Sequence, residues 1–231
     1  MKVQMRWLSV WFALAGLSAG TLQAADENMD RLKESSDVLT EIMGTPDKAI
    51  PQNLFQKSYC VVVIPSMKKA GFVFSAKYGR GFASCRKEAG GWTGPAAMRV
   101  EGGGVGFQIG GSATDVVMLV MSKKGMQGIL ASKFTLGGEV SAAAGPVGRD
   151  STAQTDATMR ADILSWSRSR GIFAGISLQG GTLRADEDVD KALYGQPETS
   201  KAILTGEVPA PTGSDVFTSK LNEYGGETQT K

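Results

Sequence analysis

Glycine is concentrated in the middle of this chain, and that concentration limits the possible folds more than any other feature. The 231 residues contain 30 glycines, most of them among runs of β-branched and apolar residues. The clearest run, at residues 59–64, reads Tyr-Cys-Val-Val-Val-Ile and is typical of a strand buried on both faces. Glycine at this density suits tight turns, bulges and strand kinks. The pattern therefore predicts a curled sheet or a barrel-like core.

Helical spacing of apolar residues marks the two ends of the chain, whereas the middle shows strand-like runs. Predicted helices cover residues 26–43, about 50–58, 186–193, 197–204 and 214–224, with a helical turn at 126–131. Predicted strands cover residues 59–64, 71–76, 81–85, 97–100, 105–109, 116–121, 133–136, 163–167 and 172–178. Residues 65–69 and 77–80 are predicted turns, the second closing a hairpin. Strands with helices segregated to both ends predict an α+β fold on a mostly antiparallel, glycine-rich sheet.

The first 25 residues have the pattern of a secretory signal peptide. Lys2 and Arg6 give a positive start, and residues 7–17 form an apolar stretch. Small residues follow, and a signal peptidase is expected to cut after Ala24 or Ala25. The alternative is a permanent membrane anchor, which is disfavoured because the apolar stretch falls well short of the ~20 residues that a spanning helix needs. The mature protein is therefore predicted to be periplasmic or secreted.

Removal of this segment defines the expected domains and the charge of the mature protein. Thr21 stands where a lipoprotein signal requires cysteine, so no acyl anchor is expected. We expect one domain at residues 26–205, followed at 206–231 by a linker, a short helix and a flexible tail. The whole chain has 25 Lys and Arg against 23 Asp and Glu, and loss of Lys2 and Arg6 leaves the mature protein neutral. Net charge therefore gives no support for nucleic-acid binding.

Cys60 and Cys85 are the two cysteines of the chain. They fall near the ends of adjacent predicted strands in one meander, and the predicted compartment is oxidising. The sequence therefore predicts a disulfide bond between them. Two cysteines cannot form a zinc site on their own.

The chain contains no histidine, and this removes much catalytic chemistry. Ser–His and Cys–His nucleophilic sites, histidine-ligated zinc and the commonest general base are all excluded. The glycine-rich stretch 102–111 lacks the spacing of a dinucleotide fingerprint, and no phosphate-loop Gly-Lys-Ser/Thr motif occurs. An enzyme is therefore disfavoured, and neither a cofactor nor a metal is expected.

Two short motifs carry weaker signals. Ser66 and Lys69 have the S-x-x-K spacing of penicillin-binding enzymes, but the partner motifs are missing and such a match is expected by chance. Asp186, Asp188 and Asp190 match the first half of a calcium loop but lack its glycine and closing glutamate. The acidic start of a helix is the better interpretation of the three aspartates.

Five stretches of the chain, in order, resemble successive blocks of one known family. They are YCVVVIPSMKKAGFVFSAKYGRGFASCRK (59–87), GFQIGGSATDVVMLVMS (106–122), KFTLGGEVSAAAGPVGR (133–149), ILSWSRSRGIFAGISLQGG (163–181) and DEDVDKALYG (186–195). On these blocks the chain resembles the SYLF lipid-binding domain, also described as the yeast-type actin-binding domain. The resemblance covers roughly residues 26–194, and several blocks in order are more specific than any one block.

The resemblance implies lipid binding, which in eukaryotic members is phosphoinositide binding at membranes, with actin-filament binding in some. It also implies an exported protein of the bacterial cell envelope. This chain departs from the eukaryotic pattern at residues 26–48, where seven acids and three bases replace a basic amphipathic segment. Actin is not expected as a partner in the predicted compartment.

Basic residues are concentrated between Lys68 and Arg99, a stretch with seven bases, one acid and interleaved aromatic residues. Four of the bases fall on the predicted turns: Lys68, Lys69, Lys77 and Arg80. We expect these four to contact anionic phospholipid headgroups. The alternative is that strand alternation buries the aromatic rings and leaves the bases in water without a ligand. In a flat sheet the two pairs lie a strand length apart, roughly 20 Å, and only one pair belongs to the site.

Three functions remain to be compared. The favoured one is a non-enzymatic domain that binds anionic phospholipid or a membrane surface in the cell envelope. The second is a structural or interaction protein of the periplasm that binds a protein or a glycan. The third, an enzyme, lacks any complete catalytic constellation in the sequence.

Overall fold

The computed structural model of the protein describes residues 17–45, 50–71, 74–105, 110–147, 160–169 and 172–226. Its helices are α1 (Leu17–Met43), α2 (Gln52–Lys57), α3 (Lys123–Leu130), α4 (Glu187–Tyr194), α5 (Ser200–Thr205) and α6 (Asp215–Gly225). Its strands are β1 (Cys60–Gly71), β2 (Phe74–Cys85), β3 (Ala96–Val105), β4 (Gly110–Val120), β5 (Lys133–Thr135), β6 (Ala142–Ala144), β7 (Ile163–Ser169), β8 (Ile172–Gly175) and β9 (Thr182–Ala185).

The nine strands form one sheet in the order β5-β9-β3-β2-β1-β4-β7-β6, and β8 pairs with β7. All neighbours are antiparallel except β6 and β7, which are parallel. The sheet curls into a half-barrel with helices at the N- and C-terminal ends of the chain. This confirms the predicted α+β class and the mostly antiparallel, curled sheet.

Both faces of the sheet are packed, which explains the uninterrupted apolar run at the start of β1. Val61 and Val63 join a core with residues of α1, α2, α4 and α6, on what we call the α1 face. Val62 and Ile64 point the opposite way, into a core with residues of α3 and α5, on the α3 face. Because successive strand residues alternate between faces, a strand covered on both sides needs apolar residues at every position.

The turns predicted at residues 65–69 and 77–80 are wrong, because β1 and β2 continue through both. A bulge between Ile64 and Met67 absorbs Pro65 and Ser66. Ser66 has a φ of 48°, and its backbone N–H donates to the Asp115 carboxylate at 2.9 Å. Such a bulge bends a strand without ending it.

The glycines of β2 permit close packing rather than a turn. A Cβ on Gly79 would lie 2.6 Å from Cγ2 of Ile64, and one on Gly81 would lie 1.9 Å from the carbonyl oxygen of Val63. Real Cβ atoms do not approach other heavy atoms so closely, so only glycine fits at these two positions. Gly79 indicates a turn in the sequence because close approach and chain reversal both select glycine.

The predicted disulfide between Cys60 and Cys85 is confirmed. The two residues are direct cross-strand partners of β1 and β2, their sulfurs are bonded, and both side chains are fully buried. The bond joins two neighbouring, paired strands. It closes a loop over a sequence separation of 25 residues, which contains the hairpin of β1 and β2.

Other strand boundaries also differ from the predictions. β3 and β4 are longer than expected, and residues 106–109 of the predicted strand 105–109 lie outside the described residues. The short strands β6 and β9 were not predicted. Helix α1 begins at Leu17, so the predicted cleavage point at Ala24 or Ala25 falls within it.

The C-terminal helix α6 is held to the body of the protein by Arg86 and by apolar packing. Phe217 and Leu221 are fully buried in the core of the α1 face. The Arg86 guanidinium donates to the carbonyl oxygens of Ser58 at 2.9 Å and Gly225 at 3.1 Å, and it lies 4.4 Å from the centre of the Trp92 ring. Burial lowers the pKa of Arg86 below its ordinary value.

Candidate functional site

The four central strands extend beyond the packed core at one end. We call residues 68–71 of β1, 74–78 of β2, 101–105 of β3 and 110–114 of β4 the distal sheet, and the remaining parts of these four strands the proximal half. The apolar core ends at Met67, Val100 and Val116, which are all buried. Every described side chain of the distal sheet is exposed or half-buried, and most are small. The distal sheet is therefore an accessible surface with regular strand pairing.

Three of the four predicted lipid contacts, Lys68, Lys69 and Lys77, lie in the distal sheet. Lys69 of β1 is directly opposite Lys77 of β2, and Lys68 is directly opposite Tyr78. Turns at opposite ends of a flat sheet would have placed Lys68 and Lys69 a strand length away from Lys77. Because β1 and β2 continue through both predicted turns, the strand register instead makes Lys69 and Lys77 direct neighbours. Tyr78 is 44% exposed, one of the few large apolar side chains at the surface of the described structure.

The two pairs point to opposite faces of the distal sheet. Met67 and Gly79 belong to the α3 face, so strand alternation places Lys69 and Lys77 on that side. Lys68 and Tyr78 point to the α1 face. Directly opposite residues have Cβ atoms about 4.5–5.5 Å apart, and like charges at that separation destabilise a sheet. The Lys69–Lys77 pair thus places two positive charges next to each other on the α3 face.

Arg80, the fourth predicted contact, has a different environment. Strand register aligns it with three further bases on the α1 face, and we call the four the basic row: Arg80, Arg99, Arg184 and Lys133. Nε of Arg80 lies 3.0 Å from Oδ2 of Asp186, a carboxylate that is 1% exposed. The charge of Arg80 is therefore largely compensated within the protein.

Glu101 and Asp186 supply the negative charge of the basic row. Nε of Arg99 lies 3.0 Å from one oxygen of Glu101, and Nη1 of Arg184 lies 3.5 Å from the other. Nη1 of Arg99 also lies 3.8 Å from Oδ1 of Asp186. Sequence reasoning missed Arg184 and Lys133 as partners of Arg80, because strand β9, which joins them, carries no recognisable strand pattern.

A cavity of about 310 Å³ opens above the basic row, between the sheet and the first turn of α4. Bases from three strands form one side, and consecutive acids from the start of α4 form the other. These lining residues are Arg99, Lys133, Arg184, Asp186, Glu187 and Asp188. The cavity is strongly polar but has no net preference for one sign of charge.

The side chain of Asp190, in the same acidic segment, points into the protein interior. It is fully buried, where it accepts hydrogen bonds from the Ala97 backbone N–H at 2.6 Å and the Ser200 hydroxyl at 2.8 Å. Burial, supported by the neighbouring Asp186 and Glu187 charges, raises the pKa of Asp190 to about 7 against the two hydrogen bonds. The aspartates at 186, 188 and 190 thus face different surroundings and do not form a calcium loop.

The S-x-x-K residues are also explained by the fold. Ser66 occupies the β1 bulge, where its N–H meets Asp115. Asp115 in turn accepts two hydrogen bonds from the Arg168 guanidinium, at 3.0 and 2.7 Å, and Arg168 also pairs with Glu41 of α1. This network ties the bulge, β4, β7 and α1 together, which is a structural role.

A second carboxylate network supports the opposite side of the sheet. Asp162 accepts hydrogen bonds from the hydroxyls of Ser122 and Ser141 and from the Ser141 backbone N–H. Burial opposes ionisation, but these hydrogen bonds and the Lys124 charge lower the pKa of Asp162 below its ordinary value. Ser122 also caps α3 by accepting from the Gly125 N–H at 2.9 Å. The cluster joins α3, β6 and β7.

Two further observations concern membrane-spanning helices and metal sites. None of the helices in the described part of the chain is long and apolar enough to cross a membrane. Among the residues that the structure places, no cluster of three or more Cys, Asp or Glu side chains could hold a metal ion. An exposed basic sheet and a polar cavity on an α+β half-barrel are features of a binding domain.

Comparison with known proteins identifies the family. The model of a family described as "Ysc84: Las17-binding protein actin regulator" matches residues 101–224, more than half of the chain. The chain therefore belongs to the Ysc84 (SYLF) family, a family of regulators and not a class of enzymes. The match continues through α6, which packs against α1 and α2.

Curated relatives include several fungal and animal proteins. The chain is 39% identical over 164 residues to "SH3 domain-containing protein PJ696.02" of Schizosaccharomyces pombe, covering 70% of this chain and 38% of the relative. It is 34% identical over 174 residues to "Protein YSC84" of Saccharomyces cerevisiae, covering 73% and 36%. It is 31% identical over 188 residues to the human "SH3 domain-containing YSC84-like protein 1", covering 78% and 55%. The chain thus spans about a third to a half of each relative's length.

Proposed function

We propose that the protein is a non-enzymatic domain that binds anionic membrane surfaces through the distal sheet. Lys68, Lys69 and Lys77 contact phospholipid headgroups, and Tyr78 lies at the boundary between headgroups and acyl chains. The observation that carries this proposal is the direct cross-strand pairing of Lys69 with Lys77, beside the pair of Lys68 with the exposed Tyr78.

The electrostatics of the Lys69–Lys77 pair support an anionic ligand. Two ammonium groups on directly opposite residues repel each other, and a phosphate between them removes that repulsion while gaining two charge-assisted contacts. Tyrosine suits a membrane interface because its ring is apolar and its hydroxyl is polar.

The geometry favours contact through the end of the sheet and not through one face. Lys69 and Lys77 point to the α3 face, and Lys68 and Tyr78 to the α1 face, so only an end-on approach lets all of them reach one membrane. Ile172, which follows β7 and is 69% exposed, lies at the same end, because Arg168 pairs with Asp115 at the base of the distal sheet. An exposed isoleucine adds apolar contact area at that end.

Arg80 has a smaller part in this proposal than the sequence suggests. Its ion pair with the buried Asp186 would have to break before the guanidinium could bind a headgroup. We therefore assign Arg80 to the support of the sheet below the lysines. No cofactor is required for headgroup binding.

The test is co-sedimentation of the purified protein with vesicles. Each base near an anionic surface contributes about 1 kcal/mol, so Lys69→Gln/Lys77→Gln should weaken binding to phosphatidylglycerol vesicles roughly tenfold to thirtyfold. The difference should shrink in high salt as the charges are screened. The matched control is Lys191→Gln/Lys201→Gln, which removes two exposed lysines of α4 and α5. Equal binding by the parent and the distal variant would reject the proposal.

A protein partner is the second candidate, because the family description refers to Las17 binding and one yeast relative is named "LAS seventeen-binding protein 3". An acidic protein segment could use the same three lysines. If the folded protein does not bind anionic vesicles at all, binding of a protein partner becomes the favoured function.

The proposal includes export to the bacterial cell envelope. The positive start and apolar stretch of residues 1–25 support export, and a fully buried disulfide is typical of an oxidising compartment. Intact-mass measurement of protein from the envelope fraction tests it. A mature species that retains Met1 would contradict it.

A further inference from the structure

The cavity above the basic row has two chemically different sides. Its floor carries Arg99, Arg184 and Lys133, which are aligned across strands β3, β9 and β5. Its wall carries Glu187 and Asp188 of α4, next to the buried Asp186. A ligand that satisfies both sides needs a negative group for the floor and a positive group for the wall.

The floor keeps donors available for a ligand. Arg99 and Arg184 share the single carboxylate of Glu101, whereas two guanidinium groups offer ten N–H donors. The ammonium of Lys133 lies within ion-pair distance of no acid that the structure describes, and its side chain is exposed. Arg99 also lies 3.8 Å from Asp186, but the N–H donors of the three bases still outnumber the oxygens of these two acids. The remaining donors suit the several oxygens of a phosphate.

The wall keeps an acceptor available. Both oxygens of Asp186 lie within ion-pair distance of arginine nitrogens, but neither receives a well-aligned hydrogen bond from the described residues. A carboxylate that is 1% exposed and lacks aligned donors gains more from a new donor than an exposed one does. Glu187 and Asp188 add two exposed acceptors beside it.

We propose that this cavity binds a small zwitterion with a phosphate and a primary ammonium group, of which phosphoethanolamine is the simplest. The phosphate binds Arg184, Lys133 and Arg99, and the ammonium binds Glu187 and Asp188 near Asp186. The volume of about 310 Å³ leaves room for a small headgroup, and the charged lining does not suit an acyl chain. The cavity is not lined by the distal lysines, so this proposal can be tested independently of the proposed membrane contact.

Calorimetric titration of the full chain with three probes tests the bipolar character. Phosphoethanolamine should bind, whereas inorganic phosphate and ethanolamine, each at the same concentration, should bind at least tenfold more weakly because each reaches one side only. Equal affinity for phosphate and phosphoethanolamine would overturn the proposal, as would the absence of phosphoethanolamine binding.

Two variants separate the floor from the wall. Arg184→Gln should weaken phosphoethanolamine binding about tenfold or more, since a hydrogen bond to a charged group is lost. Glu187→Gln/Asp188→Asn should weaken it similarly while leaving inorganic phosphate binding unchanged or stronger. Lys201→Gln, an exposed charge change on α5 outside the cavity, is the control and should bind as the parent does. Unchanged binding in both cavity variants would reject the site.

Vesicles distinguish the source of the zwitterion. If the ligand is a lipid headgroup, vesicles of phosphatidylethanolamine with phosphatidylcholine should bind the parent but not Arg184→Gln, and free phosphoethanolamine should compete. If the ligand is a free metabolite, phosphoethanolamine should bind while these vesicles do not. The Lys69→Gln/Lys77→Gln variant should retain phosphoethanolamine binding in both cases, so failure of the membrane proposal and failure of this one give different results.

Discussion

The four central strands carry two different surfaces along their length. In the proximal half, helices cover both faces and nearly every side chain is buried, as at Val62, Phe82 and Leu119. In the distal sheet the same strands remain paired, but their described side chains are exposed or half-buried. The boundary lies at Met67, where the bulge and the last buried residues occur together.

The comparison shows that strand pairing and core burial are separate requirements. The four adjacent strands remain hydrogen-bonded to one another at the distal end, so the distal sheet persists without a covering layer. Burial supplies most of the free energy of folding in the proximal half. The distal sheet is consequently free to carry side chains, such as Lys69 and Lys77, that would be intolerable in a core.

Truncation of a core side chain should give the largest contrast between the two regions. Phe82→Ala removes a fully buried ring from the α1 face and should lower the free energy of unfolding by about 3–5 kcal/mol. Tyr78→Ala, four residues earlier on the same strand and 44% exposed, should cost less than about 1 kcal/mol. Urea denaturation of both variants measures the difference, and similar losses would show that the distal sheet has a core of its own.

Two glycines give a matched test of backbone packing. A methyl group on Gly81 would lie 1.9 Å from the Val63 carbonyl oxygen, so Gly81→Ala should force β1 and β2 apart and cost about 3 kcal/mol. A methyl group on Gly111 of the distal sheet would meet nothing closer than 3.9 Å, so Gly111→Ala should be neutral or slightly stabilising. A stable Gly81→Ala protein would show that the strands are less tightly packed than described.

Removal of the disulfide should weaken the proximal half. Cys60→Ala/Cys85→Ala opens a link across a sequence separation of 25 residues, and the chain-entropy model gives a loss of about 3 kcal/mol. Thermal melts with and without reductant measure it, and the parent in reductant should approach the double variant once it has unfolded. Vesicle binding below the melting temperature should be unchanged, because the distal lysines do not depend on the bond.

The buried Asp190 should make the stability of the proximal half depend on pH. Its pKa of about 7 in the folded state exceeds the ordinary value of 3.8, so between these values the folded protein holds a proton that the unfolded chain has lost. The contribution of Asp190 to the free energy of unfolding should therefore fall as the pH rises from about 3.8 to about 7. The fall is at most about 1.4 kcal/mol per pH unit.

Asp190→Asn removes this titration while keeping an acceptor for the Ala97 N–H. Denaturation at pH 5, 6 and 7 should show a flatter profile for this variant than for the parent. Asp188→Asn, an exposed position on the same helix, is the control and should follow the parent. Parallel profiles for the parent and Asp190→Asn would contradict the assignment.

The smallest effect concerns the distal lysines themselves. Lys77→Gln relieves the repulsion across the Lys69–Lys77 pair and should raise the free energy of unfolding by about 0.2–0.5 kcal/mol at low salt. The gain should vanish at high salt. A loss of stability at low salt would mean that repulsion between Lys69 and Lys77 is not the dominant interaction of Lys77.

Much of the local structure could be predicted from short sequence patterns. The apolar run at 59–64 placed the start of β1, and helical spacing placed α1, α4 and α6 to within a few residues, except at the N-terminus of α1. The pairing of Cys60 with Cys85 followed from two adjacent predicted strands. The strand and the helices depend on residues that are close in the sequence, and the disulfide depends on the one possible pair of cysteines.

The turns failed for a physical reason. Pro65 with Ser66, and Gly79 in the predicted turn 77–80, have the composition of chain reversals, but here they form a bulge and a close strand contact. Local composition indicates that the backbone departs from regular strand geometry or packs unusually closely at these positions. Whether it reverses or merely bends depends on the strands that pack against it.

The sequence alone determined the absence of histidine chemistry, the two-sided burial of β1 and the presence of a basic stretch with aromatics. Only the tertiary structure decided which bases act together. Register across β2, β3, β9 and β5 aligns Arg80, Arg99, Arg184 and Lys133, although more than a hundred residues separate the first from the third. Strand register is set by packing both faces of the whole sheet at once, and no local pattern contains that information.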